Sequence, residues 1–392
     1  MYDATLSSIS TMYIVIDKPL KLIGEDQTNT IIKGFQQNRG NIPIIDVLAN
    51  DVTISGFTLT GGVFCIRADP VPFNCHIIGN TLTNSTDDAI RAYGGISDLT
   101  FDVTPSNLVI SNNIISDNQG RAMYLDCGYV TISENIIANN GHRQNPYPSD
   151  AIGLDGASNI TIANNTITNN GKSGIHLGWW GPYQVYENTI TNNGAAGIEF
   201  ATYCTNTTIY GNNLVDNAIG IQLSDVPEGY RGGRNVVWNN NIKGNQQQAT
   251  AGSFTDFVSW DNGEKGNFWS DYKTKYPQAS EIGSSGTGNV PYAIDNNNTD
   301  NHPLMAEVTS FSAPPPPLAT SVPLSTSATT LQPQFPSEAA APRSPPILEF
   351  AVLVVLVLSA IVLSINIAFL ISKRHKLPPL EKYDKKQKAD VS

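Results

Sequence analysis

Short apolar runs alternate with Asn-rich turns along this chain, and one phrase returns at intervals of about two to three dozen residues. The phrase is apolar-x-x-Asn-x-apolar-x-Asn-Asn, with Asp replacing the first Asn of the closing pair in some copies. Clear copies begin at Ile110, Ile132, Ile162, Val185 and Ile209, and looser copies surround Asn80 and Asn240. A period of this size predicts a repeat architecture, in which each copy stacks on the last.

The side-chain pattern inside each copy identifies the repeat unit as a set of strands. β-Branched residues occur in short alternating runs bounded by Asn and Gly, and helical periodicity is missing. We therefore predict an all-β protein whose residues 1–250 form a right-handed parallel β-helix of about ten coils.

The Asn in the middle of each copy is predicted to occupy one corner of the solenoid. Aligning the copies gives Asn80, Asn113, Asn135, Asn165, Asn188, Asn212 and Asn240. Asn tolerates a left-handed backbone, and its side-chain amide can donate to the amide of the next coil. We interpret this row as architecture, not as a binding site.

A second strand follows each corner, and its alternation creates an outward face. The copies begin at Ala89, Ala122, Ala151, Gly174, Gly197 and Gly220. Their outward columns are Asp88, Arg121, Asp150, Ser173 and Ala196; Arg91, Tyr124, Gly153, His176, Glu199 and Gln222; and Tyr93, Asp126, Asp155, Gly178, Ala201 and Ser224. Neighbours within a column should lie about 5 Å apart.

The outward columns contain the candidate site. The predicted ligand-binding residues are Asp88, Arg91, Arg121, Tyr124, Asp126, Asp150, Asp155 and His176, with Trp179 and Trp180 on a loop at the edge. Aromatic rings cover sugar faces, while carboxylates and Arg bind hydroxyl or uronate groups, so a polysaccharide is the expected partner. If the site is catalytic, the candidates are Asp88, Asp150, Asp155 and Arg121, because paired carboxylates serve glycoside hydrolysis and Arg beside a carboxylate serves lyase or epimerase chemistry.

A structural alternative accounts for the same residues. Arg121 between Asp88 and Asp150 would form an ion-pair ladder that relieves repulsion on a solvated face. The two Trp side chains would then pack beneath the loop at 141–149. The sequence leaves open whether the protein is an enzyme, and it favours non-catalytic binding over catalysis.

Metal, cofactor and nucleic-acid binding are not predicted. The histidines His76, His142, His176 and His302 fall on different loops and coils without ligand spacing, and the chain has only 4 Met. The net charge of −11 argues against nucleic acid, which requires a basic surface. Cys65 and Cys75 flank a Pro-rich bend and could form a disulfide, whereas Cys127 and Cys204 are expected to be buried thiols.

The composition changes after the repeats. Residues 251–308 contain bulky aromatics among Gly and Asp, which is typical of a cap over the last coil. Residues 309–346 are rich in Pro, Ser and Thr and predict a disordered stalk. Residues 347–372 predict one transmembrane helix, and 373–392 form a basic cytoplasmic tail, so the β-helix should be extracellular and the bilayer a second partner. Because Met1–Thr5 does not resemble a signal peptide, we expect an export signal upstream of Met1.

These motifs resemble the NosD-type family of right-handed parallel β-helix proteins, whose repeats are called carbohydrate-binding and sugar-hydrolase repeats. The specific part is Gly266–Tyr272 (Gly-Asn-Phe-Trp-Ser-Asp-Tyr), with Pro291–Asp295 and Asp300–Met305. The resemblance covers residues 12–306, and a stalk and anchor after such a cap resemble those of archaeal surface proteins. Asp87-Asp88 is also similar to a phrase of the polygalacturonase β-helices, although that family's Gly-His-Gly and Arg-x-Lys phrases have no counterpart here.

Together these features predict a membrane-anchored extracellular protein that binds or displays polysaccharide at the cell surface. One alternative is a surface polysaccharide lyase, hydrolase or epimerase. Another is a structural envelope or adhesion protein without a glycan ligand.

Overall fold

A computed structural model describes residues 13–35, 42–94, 105–143, 149–201, 204–224, 233–252 and 258–309. Within these residues, three parallel sheets of ten strands each wind into a right-handed parallel β-helix of ten coils. Each coil contributes one strand to each sheet in turn, so sequence neighbours lie in different sheets and repeat neighbours pair. The predicted fold class is confirmed.

The first sheet contains the strands that follow the corners. These are β1 (Ile14–Ile16), β4 (Pro43–Val47), β7 (Phe64–Ala68), β10 (Ile90–Tyr93), β13 (Met123–Asp126), β16 (Ile152–Leu154), β19 (Ile175–Leu177), β22 (Ala196–Phe200), β25 (Ile219–Leu223) and β28 (Gln247–Thr250).

The second sheet contains the strands that lead into the Asn corner. These are β2 (Lys21–Ile23), β5 (Thr53–Ser55), β8 (His76–Ile78), β11 (Pro105–Ser111), β14 (Gly128–Ser133), β17 (Ser158–Ala163), β20 (Tyr183–Tyr186), β23 (Thr208–Tyr210), β26 (Asn235–Trp238) and β29 (Val258–Ser259).

The third sheet contains the strands that leave the corner. These are β3 (Ile31–Lys33), β6 (Thr58–Thr60), β9 (Thr81–Thr83), β12 (Ile114–Ser116), β15 (Ile136–Ala138), β18 (Thr166–Thr168), β21 (Thr189–Thr191), β24 (Asn213–Val215), β27 (Asn241–Lys243) and β30 (Phe268–Trp269).

The core is built from inward residues stacked in register. In the first sheet, Ile90 pairs with Met123, Met123 with Ile152, and Ile152 with Ile175, and all four side chains are buried. Because every coil presents the same apolar positions, each coil buries its hydrophobic surface against the coils above and below it. The strand alternation that turns the core residues inward also fixes which residues reach the outer face.

Two Asn ladders run along the solenoid. The predicted corner row is confirmed: each Nδ2 donates to Oδ1 of the Asn in the next coil, for example Asn135 to Asn165 at 2.9 Å and Asn165 to Asn188 at 2.9 Å. The row extends one coil further, from Asn240 to Asn267 at 2.9 Å. A second row uses the Asn at the end of each copy, and consists of Asn118, Asn140, Asn170, Asn193, Asn217 and Asn245.

The last coil is covered by residues 270–309. They contain one short helix, α1 (Tyr272–Lys275), and an antiparallel pair, β31 (Tyr292–Ala293) and β32 (Thr299–Asp300). The ring of Trp269 stacks on Tyr292 with centroids 4.2 Å apart. This packing covers the apolar end of the core that the final coil would otherwise expose.

The cysteine prediction is wrong in one respect. Cys65 and Cys75 are both buried free thiols, so they do not form a disulfide. Cys127 and Cys204 are buried free thiols, as predicted.

The predicted stalk, transmembrane helix and basic tail lie outside the described residues. None of the helices in the described part of the chain has the length and apolar character needed to cross a membrane.

Candidate functional site

The outer face of the first sheet brings the predicted columns into register. In the middle column, Arg91 pairs with Tyr124, Tyr124 with Gly153, Gly153 with His176, and His176 with Glu199. In the third column, Tyr93 pairs with Asp126. We call this surface the charged face, defined by Asp88, Arg91, Arg121, Tyr124, Asp126, Asp150, Asp155, Lys172, His176 and Glu199.

The upstream half of the charged face centres on the ring of Tyr124. The Arg121 guanidinium carbon lies 4.7 Å from the ring centroid, and that of Arg91 lies 5.8 Å away. The Arg121 side chain extends across Gly153, since a Cβ at that position would lie 2.9 Å from its Cδ and Nε atoms. The absence of a side chain at Gly153 therefore leaves room for Arg121.

The predicted ion-pair ladder through Arg121 is not formed. Asp88 instead accepts a hydrogen bond from the backbone N–H of Arg121 at 2.8 Å. Within the described residues, no carboxylate oxygen lies within 4 Å of the Arg121 guanidinium. The ladder prediction fails because the Arg121 side chain lies across Gly153 of the next coil, with its guanidinium beside the Tyr124 ring.

Two carboxyl groups on this face have raised pKa values. Burial raises the pKa of Asp88 to about 6, although the charge of Arg121 acts in the opposite direction. Burial, together with the charge of Asp155, raises the pKa of Asp126 to about 6. Both groups can therefore take up a proton close to neutral pH.

The downstream half contains a tight cluster of five charged or ionisable groups. Nζ of Lys172 lies 3.1 Å from Oδ1 of Asp150 and 3.4 Å from Oε2 of Glu199. Nδ1 of His176 lies 3.3 Å from Oε2 of Glu199, and its Nε2 lies 3.7 Å from Oδ1 of Asp155. The cations thus sit among three carboxylates that would otherwise repel one another.

The cluster shifts the pKa values of its members. Burial acts to lower the pKa of His176, but the contact with Glu199 and the charges of Asp150 and Asp155 outweigh it, so the pKa is raised. Burial acts to raise the pKa of Glu199, but His176 and Lys172 outweigh it and lower the pKa to about 2. Glu199 is therefore anionic over the whole physiological range.

Asp150 is part of this framework rather than an accessible acid. It is 4% exposed, and its Oδ1 accepts the backbone N–H of Ser173 at 3.1 Å. Asp155 is the more accessible carboxylate, with its side chain 38% exposed. Of the predicted catalytic carboxylates Asp88, Asp150 and Asp155, only Asp155 is therefore open to a ligand.

Trp179 and Trp180 lie on the turn that follows β19. The side chain of Trp179 is 50% exposed, whereas Trp180 is partly buried and forms a β-bridge with Cys204. Tyr183 is fully buried and donates its hydroxyl hydrogen to backbone oxygens of the same turn. The exposed ring of Trp179 thus lies at the edge of the sheet, on a turn that the buried side chain of Tyr183 holds in place.

Three buried polar atoms of the charged face have no hydrogen-bond partner. They are Nε of Arg121, Oδ1 of Asp126 and Nδ1 of His176. The His176 atom lies 3.3 Å from Oε2 of Glu199, but the geometry is not that of a hydrogen bond. Among the described residues only one further buried side-chain atom, Nδ1 of His302, shares this condition. Buried polar atoms are almost always paired, so their concentration on one surface marks a place where a ligand or water completes the bonding.

Two members of the charged face were missed by the sequence analysis. Lys172 and Glu199 were not among the predicted site residues, although Glu199 was placed in the middle column. Lys172 lies in a turn and reaches the face only through its long side chain, so strand alternation does not identify it. The signal available for Glu199 was its register with His176.

A cavity between described residues lies inside the solenoid. It is lined by apolar side chains including Val47, Ile66 and Leu108. None of the residues that line it belongs to the charged face.

Comparison with known proteins identifies the family. The family described as "periplasmic copper-binding protein (NosD)" matches residues 14–274. No curated protein matches the chain. Among solved structures, the chain is similar to the A-module of the mannuronan C-5 epimerase AlgE6 of Azotobacter vinelandii, with 14% identity, a TM-score of 0.41, and coverage of 62% of this chain and 82% of that one. It is also similar to the Dettilon tailspike protein, with 13% identity, a TM-score of 0.37, and coverage of 65% and 58%.

The residues of the described chain do not fit a copper ion. Burial raises the pKa of the Cys65, Cys127 and Cys204 thiols to about 12, whereas copper(I) requires thiolate or thioether sulfur. Among the described residues, one group of potential ligands lies close together, namely Asp150, His176 and Glu199 with ligand atoms within 4.8 Å. The ammonium group of Lys172 already forms ion pairs with both carboxylates of this group.

The family match covers two thirds of the chain and coincides with the solenoid and the start of its cap. The repeated corner phrase and the ten coils account for that match physically, because both follow from the same stacked unit. The chain therefore belongs to the NosD family of parallel β-helix proteins.

Proposed function

We propose that this protein binds polysaccharide along the charged face of its β-helix. The observation that carries the proposal is the pair of polar atoms on that face without a hydrogen-bond partner, Nε of Arg121 and Oδ1 of Asp126. They include nitrogen and carboxylate oxygen atoms, and sugar hydroxyl groups both donate and accept hydrogen bonds. A hydroxylated polymer that follows the face would pass the side chains of both residues.

The shape of the face supports a polymeric ligand. Successive coils repeat about every 4.8 Å, so the face is a line of groups rather than a closed pocket. Arg91, Tyr124, His176 and Glu199 follow one another along that line. The exposed ring of Trp179 lies beside it and supplies an apolar surface on which a sugar ring can pack.

The proposal includes a location. The uncharged segment from Phe350 to Ile371 and the basic residues after it favour a single-pass anchor with the β-helix outside the cell. The Pro-rich segment at 309–346 would separate the two. A binding face presented in this way would retain polysaccharide at the cell surface.

A polysaccharide lyase, hydrolase or epimerase is the second candidate. It is favoured by the carboxyl groups of Asp88 and Asp126, because burial raises the pKa of each to about 6. Such groups can accept and return a proton near neutral pH, and the charges of Asp126, Arg121 and Arg91 all act on the Tyr124 hydroxyl. Asp155 and Arg121 would then bind the substrate.

The test is a screen of the full chain in detergent against a broad set of polysaccharides. It measures both retention and the release of reducing or unsaturated ends. Retention without product, lost in Trp179→Ala and Asp155→Asn, is expected. Product formation that disappears in Asp126→Asn would show that the protein is an enzyme rather than a binding protein. If no polymer is retained, both functions are refuted and a structural role is favoured.

A further inference from the structure

Two guanidinium groups share the ring of Tyr124 at the upstream end of the charged face. Arg91 belongs to the coil before Tyr124, and its guanidinium carbon also lies 5.5 Å from the Phe64 ring. Arg121 reaches the ring from its own coil across Gly153. Aromatic contacts of this kind hold a guanidinium plane in place without using its N–H donors.

Neither guanidinium is neutralised by a nearby acid. In the part of the chain that the structure describes, no carboxylate oxygen lies within 4 Å of Arg91 or Arg121. Arg67, one coil earlier in the same column, differs because Asp46 binds it through both oxygens. The middle column thus contains one ion-paired arginine, Arg67, followed by Arg91, which has no carboxylate partner within the described ranges.

The partly buried position of Arg121 makes this arrangement costly without a ligand. Its Nε is buried and has no hydrogen-bond partner. Its nearest acidic neighbour, Asp88, is bonded to the backbone N–H of Arg121 and not to the side chain. The guanidinium of Arg121 thus has no acidic partner among the described residues, and an anion from outside the protein would supply one.

We propose that Arg91, Tyr124 and Arg121 form a subsite for the carboxylate of an acidic sugar. This inference rests on the proposed polysaccharide binding and adds the class of sugar. One guanidinium group can bind a carboxylate through two parallel N–H···O bonds, which fixes both the position and the orientation of the acid. The phenol ring of Tyr124 lies beside the subsite and can support the sugar ring.

The downstream half of the face supports the same assignment. Asp150, Asp155 and Glu199 form a negative region there, compensated by Lys172 and His176. A uronate carboxylate would be repelled by these acids, whereas hydroxyl groups would be bound by them. An acidic polymer would therefore place an acid group over the arginines and hydroxyl groups over the carboxylates.

The experiment measures binding of the full chain, in detergent, to matched polymers. The ligands are polygalacturonate, polymannuronate and polyglucuronate, each compared with the same polymer after its carboxyl groups have been reduced to alcohols. Dextran sulfate and dextran form a second pair that distinguishes carboxylate from sulfate. The variants are Arg91→Gln and Arg121→Gln, with Lys265→Gln as a control that removes one positive charge from an exposed position away from the face.

We expect at least one polyuronate to bind about tenfold or more tightly than its reduced form. Either arginine variant should abolish that preference and leave the affinity for the reduced polymer within about twofold, while Lys265→Gln keeps the preference. Equal binding of acidic and reduced polymers would overturn the subsite while leaving polysaccharide binding intact. Stronger binding of dextran sulfate than of every polyuronate would also overturn it, and binding of no polymer would overturn the proposed function itself.

Discussion

Gly153 controls the position of the Arg121 side chain. It lies between Tyr124 and His176 in the middle column, and it is buried because Arg121 lies across it. Its backbone does not require glycine through a left-handed conformation, since it is not among the residues with positive φ. Glycine is required at position 153 because the Arg121 side chain occupies the space that a Cβ would fill.

Gly153→Ala is expected to weaken the binding of acidic polysaccharide without removing any charge. The new Cβ would meet Cδ and Nε of Arg121 at 2.9 Å, so the guanidinium must leave the Tyr124 ring. We expect about a fivefold to tenfold loss of affinity for a polyuronate, since one charged hydrogen bond is misplaced. Isothermal titration calorimetry checks this, with Gly233→Ala, where a Cβ meets nothing, as the control. An unchanged affinity would contradict the role assigned to Gly153.

Glu199 gives a pH-dependent contribution to stability. Its folded pKa of about 2 lies below the usual value near 4.5, so its contribution is present above about pH 4.5 and is lost as the pH falls through 2. Glu199→Gln is expected to lower the free energy of unfolding at pH 7 by about 3 kcal/mol and to have little effect near pH 2. Urea unfolding at several pH values measures the difference. Gln222→Ala, one coil further along the column, is the matched control.

The Asn ladders stabilise the turns between strands. Residues just before the ladder Asn adopt positive φ, such as Asn164 at 56° and Glu187 at 56°. The ladder side chains supply the hydrogen bonds that these turns do not make through their backbones. Each Asn accepts two hydrogen bonds from the previous coil and donates to the next, so the ladder couples the coils along their full length.

Asn165→Ala is expected to lower the free energy of unfolding by about 1–3 kcal/mol. The change leaves the backbone N–H and Nδ2 of Asn135 without their acceptor and removes the donor to Asn188. Thr166→Ala, at the exposed neighbouring position, should change the stability by less than about 0.5 kcal/mol. Thermal unfolding of the two variants side by side provides the measurement, and equal losses would show that the ladder is not the cause.

The sequence predicts the strands and their register, but not the side-chain partners on the outer face. The middle column from Arg91 to Gln222 could be derived because alternation and repeat length are properties of the chain alone. The partners of Arg121 could not, because the choice between Tyr124 and the acids depends on side-chain direction and on the space above Gly153. The partners of long side chains such as Lys172 could not be predicted either, because they also depend on the direction that the side chain takes.

At the scale of the whole molecule, the cap depends on one buried acid. Asp300 accepts hydrogen bonds from the backbone N–H groups of Asn267 and His302 and from Nε1 of Trp269. It thereby joins the end of the corner ladder, the aromatic stack and the final segment. The end of the solenoid is closed by this carboxyl group as well as by apolar packing.

Asp300→Ala is expected to destabilise the full chain by about 3 kcal/mol or more, because three buried donors lose their acceptor. Burial raises the folded pKa of Asp300 to about 6, so its contribution is largest below the unfolded value near 3.8 and declines as the pH rises through 6. The loss caused by the substitution should therefore be greater at pH 5 than at pH 7. Chemical denaturation at both pH values measures it, and Glu264→Ala in the exposed part of the cap is the control. The opposite pH trend would contradict the assignment.

The second Asn row has a chemical consequence for the lifetime of the protein. Asn140, Asn170 and Asn193 are each followed by Gly, the sequence in which Asn cyclises and deamidates most readily when the backbone is free. In the folded solenoid their amides are fixed by hydrogen bonds to neighbouring coils. In the unfolded chain the same residues would deamidate to Asp or isoAsp. A carboxylate cannot donate the hydrogen bond that each Asn makes to the next coil. The stacking of the coils thus also protects these Asn side chains from deamidation. Prolonged unfolding would become irreversible as successive amides are lost.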